Sequence, residues 1–165
     1  MIAQMVLIGL AFGGVPLFGY LYGGRDFKKL KKLISFCTAF ISCYGLLMAL
    51  IIILLARPLT LVSMDDPGVV RDSALMLRWQ VSGSAFAGIV LLFTCLFQAT
   101  GKAGPALALS LSRQGLLFLA VLGVGVLVAG FNGLLAAQPI ADALSAALAV
   151  IMWRAAFRKE GLSAA

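Results

Sequence analysis

The chain alternates long apolar runs with short polar segments. Five of these runs come close to the roughly 20 residues that a helix needs to cross the hydrocarbon core of a bilayer. They cover residues 2–22, 33–56, 77–100, 105–129 and 134–153. Residues 1–165 are therefore predicted to form an all-α integral membrane protein, a bundle of five transmembrane helices.

The connection between the second and third runs, residues 57–76, is the one long enough to hold structure of its own. The sequence MDDPGVVRDSALMLR begins in it, at Met64. Its Asp-Pro step predicts a turn, and the residues that follow predict a short amphipathic helix leading into the third span.

Composition supports the membrane assignment. Of the 165 residues, 62% are hydrophobic and only 12% are charged, which leaves too little polar surface for a water-soluble domain. The net charge of +7 could suggest a nucleic-acid partner, but the basic residues stand at the ends of apolar runs, so we expect none. The N-terminus lacks the positive segment of a secretory signal, so none is expected there.

Lysine and arginine set the predicted orientation in the membrane. Five spans place the first connection, the third connection and the tail on one side, and these three segments are the basic ones. Their basic residues are Arg25, Lys28, Lys29, Lys31, Lys32, Lys102, Arg154, Arg158 and Lys159. We therefore expect a multi-pass protein of the plasma (inner) membrane, with its N-terminus outside and its C-terminus in the cytoplasm. The run from Arg25 to Lys32 serves as a cytoplasmic anchor, and it could also bind anionic lipid.

Polar residues at membrane depth are the candidates for function, because they are expensive in hydrocarbon. Asp142 is the one acidic residue well inside a span, about 12 Å from the outer end of the last helix. It suits a group that takes up and releases protons, although it could instead only fix helix packing. Arg113 is its obvious partner, at a predicted vertical separation of about 5–10 Å. Direct pairing, a relay through Gln114 and snorkelling of Arg113 toward the surface near Gln98 all remain open.

Small residues and a proline mark the first span. Gly9 and Gly13 form one GxxxG pair and Gly19 and Gly23 another, a spacing that lets helices approach closely in lipid. Pro16 removes a helix hydrogen bond in mid-span and predicts a kink.

Enzymatic and metal-binding motifs are absent from the sequence. It contains no P-loop, GxSxG or HExxH motif and no histidine, and its three cysteines lie inside apolar runs. We therefore expect neither an enzyme nor a resident metal or cofactor, and we name no catalytic residue.

Three motifs in order resemble those of a known family. The stretch GGVPLFGYLYGGRDFKKLKK resembles the second-lobe signature of the multidrug and toxic compound extrusion (MATE) transporters, a glycine-proline span with a GYNYGA-like end. Leu21 stands where that family usually has asparagine. LFQATGKAGPALALSLSRQ is similar to the family's FQAxGKA turn and following SLxRQ, and PIAD, ending at Asp142, looks like the start of its last helix. The matching positions are Pro16, Gly19, Tyr20, Tyr22, Gly23, Gln98, Ala99, Gly101, Lys102, Ala103, Arg113, Gln114, Pro139 and Asp142.

The resemblance implies that the chain supplies the last five of twelve helices, most of the second lobe. It further implies antiport of amphipathic cationic compounds against Na⁺ or H⁺, with Asp142, Arg113, Gln114 and Gln98 nearest the pathway. The family's acid on the tenth helix has no counterpart, because the third span here contains none. Transport would need the absent first lobe, from the same protein or a second chain. A structural or assembly membrane protein and a related lipid-linked oligosaccharide flippase are the alternatives.

Overall fold

The structure, a computed structural model, describes residues 2–63 and 67–157. The described residues are helical apart from short turns, and they contain no strand, which confirms the all-α prediction. The helices are α1 (Ile2–Gly23), α2 (Phe27–Ser63), α3 (Pro67–Ser82), α4 (Ser84–Ala99), α5 (Ala103–Leu111) and α6 (Leu117–Phe157), with a π-helical segment, Ser112–Leu116, before α6. The first residues of the predicted Asp-Pro turn, 64–66, and the tail residues Arg158 and Lys159 lie outside the described ranges.

The long helix α6 is broken at Gly130. That residue has φ 54° and ψ −125°, a backbone conformation that glycine adopts and other residues avoid. A Cβ built on Gly133 would overlap the carbonyl of Gly125. Because a straight helix would separate these two residues by about 12 Å, the chain must reverse direction at Gly130. The predicted fourth and fifth spans lie on either side of this reversal.

Four stretches of the described chain are long and apolar enough to cross a membrane. They are Met5–Gly23, Phe27–Ala56, Gly68–Ala99 and Ala103–Phe157. The last would be about 80 Å long as a straight helix, against about 30 Å of hydrocarbon. Its reversal at Gly130 therefore makes it two crossings, and the protein is a multi-pass membrane protein.

The basic run belongs to α2 and not to a loop. Only Gly24, Arg25 and Asp26 separate α1 from α2, because Asp26 starts the second helix. Its Oδ1 accepts a hydrogen bond from the backbone nitrogen of Lys29 at 3.3 Å, as an N-cap residue does. Its Oδ2 lies 2.7 Å from Lys29 Nζ. The four lysines thus occupy the first turns of α2.

Helix α4 lies at the centre of the bundle and contacts every other α-helix. Small residues allow this close packing. A Cβ built on Gly45 of α2 would stand 2.7 Å from Ala85 Cα, and one on Gly88 of α4 would stand 2.5 Å from Ile41 Cγ2. The hydroxyl of Ser84 also donates a hydrogen bond to the carbonyl of Gly45 at 3.2 Å. The core therefore forms where α1, α2 and α6 meet α4.

The three basic segments meet at one end of the bundle. Helix α4 ends in a turn in which Lys102 N donates to the carbonyl of Phe97 at 2.9 Å and Gly101, with φ 72°, holds the left-handed position. Lys102 Nζ then donates to the carbonyl of Ala156 at 2.7 Å and lies 3.9 Å from the centroid of the Phe157 ring. Phe157 also contacts Tyr22 at the end of α1, with ring centroids 6.1 Å apart.

The outer face of α1 has no partner among the described helices. A Cβ added at Gly9, Gly13 or Gly23 would meet no atom of the described chain within 4 Å. Gly19 alone of the predicted packing glycines faces a neighbour, with its Cβ position 3.5 Å from the carbonyl oxygen of Ala99. Pro16 lies inside α1, which continues through it, and is exposed. The close helix packing predicted for Gly9, Gly13 and Gly23 therefore stays a prediction, about contacts with a helix outside the described chain.

Candidate functional site

The reversal at Gly130 makes residues 103–129 and 131–157 the two arms of a helical hairpin, and a buried ion pair joins these arms. Arg113 Nε donates to Asp142 Oδ1 at 2.9 Å. Asp142 is only 3% exposed, and the Arg113 side chain is 19% exposed. Of the three alternatives for Arg113, the structure therefore shows direct pairing.

The backbone around Arg113 departs from the α-helix. Residues Ser112–Leu116 form a π-helix, in which one extra residue is accommodated per turn. Such a segment changes the direction in which the following side chains point, and it is frequent at functional sites. It includes both Arg113 and Gln114.

Gln138 and Gly83 complete the surroundings of Asp142. Gln138, one helical turn earlier on α6, donates from Nε2 to Asp142 Oδ2 at 3.4 Å. Gly83, between α3 and α4, lies so close that a Cβ there would stand 2.9 Å from Pro139 Cα and 3.3 Å from Asp142 Oδ2. Sequence reasoning missed both residues. The signal for Gln138 was its (i, i+4) spacing from Asp142. Gly83 lies inside the predicted third span, and its approach to Asp142 depends on how the helices pack.

A cavity of about 350 Å³ adjoins the ion pair. It lies between α1, α4 and the hairpin, and its polar lining consists of Arg113, Gln114 and Gln138. The remaining lining residues are Leu7, Ile8, Ala87, Gly88 and Leu91. The three polar side chains converge on one side of the cavity and contribute at least as much of its surface as the five small and aliphatic residues do. Polar groups placed to fix the orientation of a ligand are part of the usual make-up of a small-molecule site.

The structure separates Gln98 from the other predicted site residues. Gln98 is exposed near the end of α4, whereas Asp142 contacts Gly83 just before the start of that helix. The α4 segment between Gly83 and Gln98 is about 22 Å long. Gln98 lies instead at the basic end of the bundle, where its carbonyl accepts a hydrogen bond from Gly101 N at 3.1 Å.

The carboxylate of Asp142 is the acceptor for both polar side chains that contact it, Arg113 and Gln138. A proton or a Na⁺ ion bound to this carboxylate would compete with Arg113 for the same oxygen atoms, and Gln138 offers an amide oxygen nearby. Within the described residues there is no cluster of His, Cys, Asp and Glu side chains that could hold a metal ion.

Comparison with known proteins gives a family. The model of the MatE family matches residues 1–124. The multidrug export protein MepA of Staphylococcus saprophyticus is 26% identical over 149 residues, which are 90% of this chain and 33% of that protein. MepA of Staphylococcus aureus is 23% identical over the same share of this chain. The chain thus spans about a third of the length of these relatives.

A solved structure has the same fold. The crystal structure of the Vibrio cholerae MATE transporter VcmN, in its bent form, superposes with a TM-score of 0.90 at 23% sequence identity. The superposition covers 98% of this chain and 37% of that protein. All the described helices therefore have counterparts in one part of a larger helical transporter.

Proposed function

This chain belongs to the MatE family, and from that premise we propose that it forms most of the second lobe of a multidrug exporter. The exporter would expel amphipathic cationic compounds in exchange for Na⁺ or H⁺. The basic end of the bundle would face the cytoplasm, with the N-terminus outside.

The Arg113–Asp142 pair beside the cavity is the observation that carries this proposal. An unpaired carboxylate in hydrocarbon is costly, so a cation arriving at Asp142 and the Arg113 guanidinium are alternative partners for the same group. Cation binding would release Arg113 and loosen the π-helical segment that holds it. Export requires this exchange of partners at Asp142 to be linked to a change in the shape of the cavity.

The proposal includes a requirement for a further lobe. The chain corresponds to 33% of the MepA relative and 37% of the VcmN chain. Its cavity is bordered by α1, whose outer face has no partner among the described helices. A first lobe, from the same polypeptide or from a second chain, would cover that face and complete the pathway, and we expect no transport without it.

Efflux of ethidium from cells that make the native protein tests the proposal. Asp142→Asn should lower the efflux rate about tenfold or more, corresponding to about 1.4 kcal/mol or more in the barrier to transport. Asp72→Asn is the matched control, because Asp72 is an exposed carboxylate on α3, away from the cavity. Imposed Na⁺ and pH gradients, applied separately, identify the coupling ion.

Two results would overturn the proposal. One is an unchanged ethidium accumulation when the gene is disrupted, which would exclude export of this class of compound. The other is a wild-type efflux rate in Asp142→Asn, which would remove Asp142 from the coupling step and leave it a packing residue.

A further inference from the structure

We propose that a groove along the first three turns of α2 binds an anionic phospholipid. The phosphate would lie against Lys28, Lys31 and Lys32, and an acyl chain would run past Phe36 and Ala39 toward the middle of the bilayer. This site is separate from the Arg113–Asp142 cavity, and it does not depend on export.

The groove consists of two adjoining cavities. The first, of about 560 Å³, is lined by Lys28, Lys31, Lys32, Ser35, Phe36 and Ala39. The second, of about 470 Å³, shares Lys31, Ser35 and Ala39 with the first. It continues across α2 to Ile89 and Phe93 of α4 and to Val150 and Trp153 of α6. The shared residues join the two cavities into one surface open to the surroundings of the protein.

The groove changes in polarity along its length as a phospholipid does. Its charged residues are at the start of α2, and its apolar residues follow on the same helix face. The segment from Lys28 to Ala39 is about 16 Å long, close to half of the roughly 30 Å hydrocarbon core. A headgroup and the upper part of one acyl chain would therefore fit within a single leaflet.

Charge complementarity selects an anionic headgroup. Among the described residues that line the two cavities there is no aspartate or glutamate. The nearby carboxylate, Asp26, lies 2.7 Å from Lys29, whose side chain does not line the groove. Lysines close to a membrane surface attract anionic lipids, and this effect accumulates from one lysine to the next.

Trp153 places an interfacial aromatic residue beside the lysines. Its ring lies 5.9 Å from that of Phe93, centroid to centroid, and both line the second cavity. Its indole nitrogen is buried and has no hydrogen-bond partner among the described residues. The Trp153 ring therefore contributes apolar surface to the groove beside Lys31, where its fluorescence can report on a bound lipid.

Quenching of Trp153 by brominated lipids tests the proposal. The chain has two tryptophans, so the Trp79→Phe variant of the full chain leaves Trp153 as the one fluorescent tryptophan. Reconstituted in phosphatidylcholine vesicles, this protein should be quenched by brominated phosphatidylglycerol at a much lower mole fraction than by brominated phosphatidylcholine. Adding Lys28→Gln and Lys32→Gln should weaken the preference about 25-fold, about fivefold for each lysine.

Lys29→Gln is the matched control. It removes one charge from the first turn of α2 at a position that does not line the groove, so it should keep the preference. Lys28→Gln alone, which also removes one charge, should weaken the preference about fivefold. Lys28→Arg with Lys32→Arg should also keep it, and quenching by brominated phosphatidylcholine reports whether each variant retains its fold around Trp153.

Three results would overturn the proposal. Equal quenching by the two brominated lipids would show that the groove does not select anionic lipid. A loss of preference in Lys29→Gln as large as in Lys28→Gln alone would reduce the effect to general surface charge. Abolition of phosphatidylglycerol quenching by inorganic phosphate in the buffer would identify a site for the free anion and not for the lipid.

Discussion

Arg113 and Asp142 are unequally buried, and this inequality determines how the pair should respond to mutation. Asp142 is 3% exposed and depends on Arg113 and Gln138 for its polar contacts. Arg113 borders the cavity and retains some contact with solvent. Removing one charge from a buried pair leaves the other uncompensated, which is much more costly than removing both.

Arg113→Gln should therefore destabilise the chain by about 3–5 kcal/mol. Asp142→Asn should cost less, because the remaining guanidinium can turn into the cavity. The double variant should recover most of the loss. Unfolding of the purified chain in mixed micelles with increasing dodecyl sulfate measures the free energies. If the two single costs simply add in the double variant, the residues do not act as a pair in the folded protein.

At the level of the helices, glycines on α1 and α2 have different surroundings. Gly45 faces the backbone of Ala85 where α2 and α4 cross, whereas Gly13 on α1 faces no described atom within 4 Å. The GxxxG pattern predicted close packing at Gly13, but within the described chain the close contact is at Gly45. The spacing of glycines identifies a stripe of small residues on one face of a helix. Which partner helix covers that stripe depends on the tertiary arrangement.

Gly45→Ala should destabilise the chain by about 1–3 kcal/mol, because a new methyl group would press on the backbone of a neighbouring helix. Gly13→Ala is the matched control. It should be neutral or stabilise by up to about 1 kcal/mol through helix propensity alone. The same dodecyl sulfate titration compares the two variants, and equal effects would contradict the α2–α4 contact.

The sequence predicted the helices better than their ends. The apolar runs indicated the crossings, since each needs a minimum length in lipid. The start of α2 at Phe27 was not predicted, because the charges of the lysines suggested a loop, while the cap at Asp26 makes them helical. The π-helix around Arg113 and the contact of Gly83 with Asp142 depend on how the helices pack, which no local pattern in the chain specifies.

At the scale of the whole molecule, the described bundle has a well-packed centre, and the outer faces of its other helices are uncovered by the described chain. Helix α4 is enclosed by its neighbours, whereas α1 presents Gly9, Gly13 and the 80%-exposed Tyr20 outward. The three basic segments share one end, as the predicted topology requires. The family model, the MepA relatives and the VcmN fold all match this chain, and the relatives are about three times as long.

The mass of the native particle that carries this chain tests the proposed two-lobed exporter most directly. Particles captured from cell membranes with an antibody against the tail FRKEGLSAA would be weighed by native mass spectrometry. We expect a protein mass about three times 17.3 kDa, as one polypeptide or as this chain with a different partner. A particle containing only the 17.3 kDa chain, alone or paired with itself, would contradict the proposal and favour a structural membrane protein.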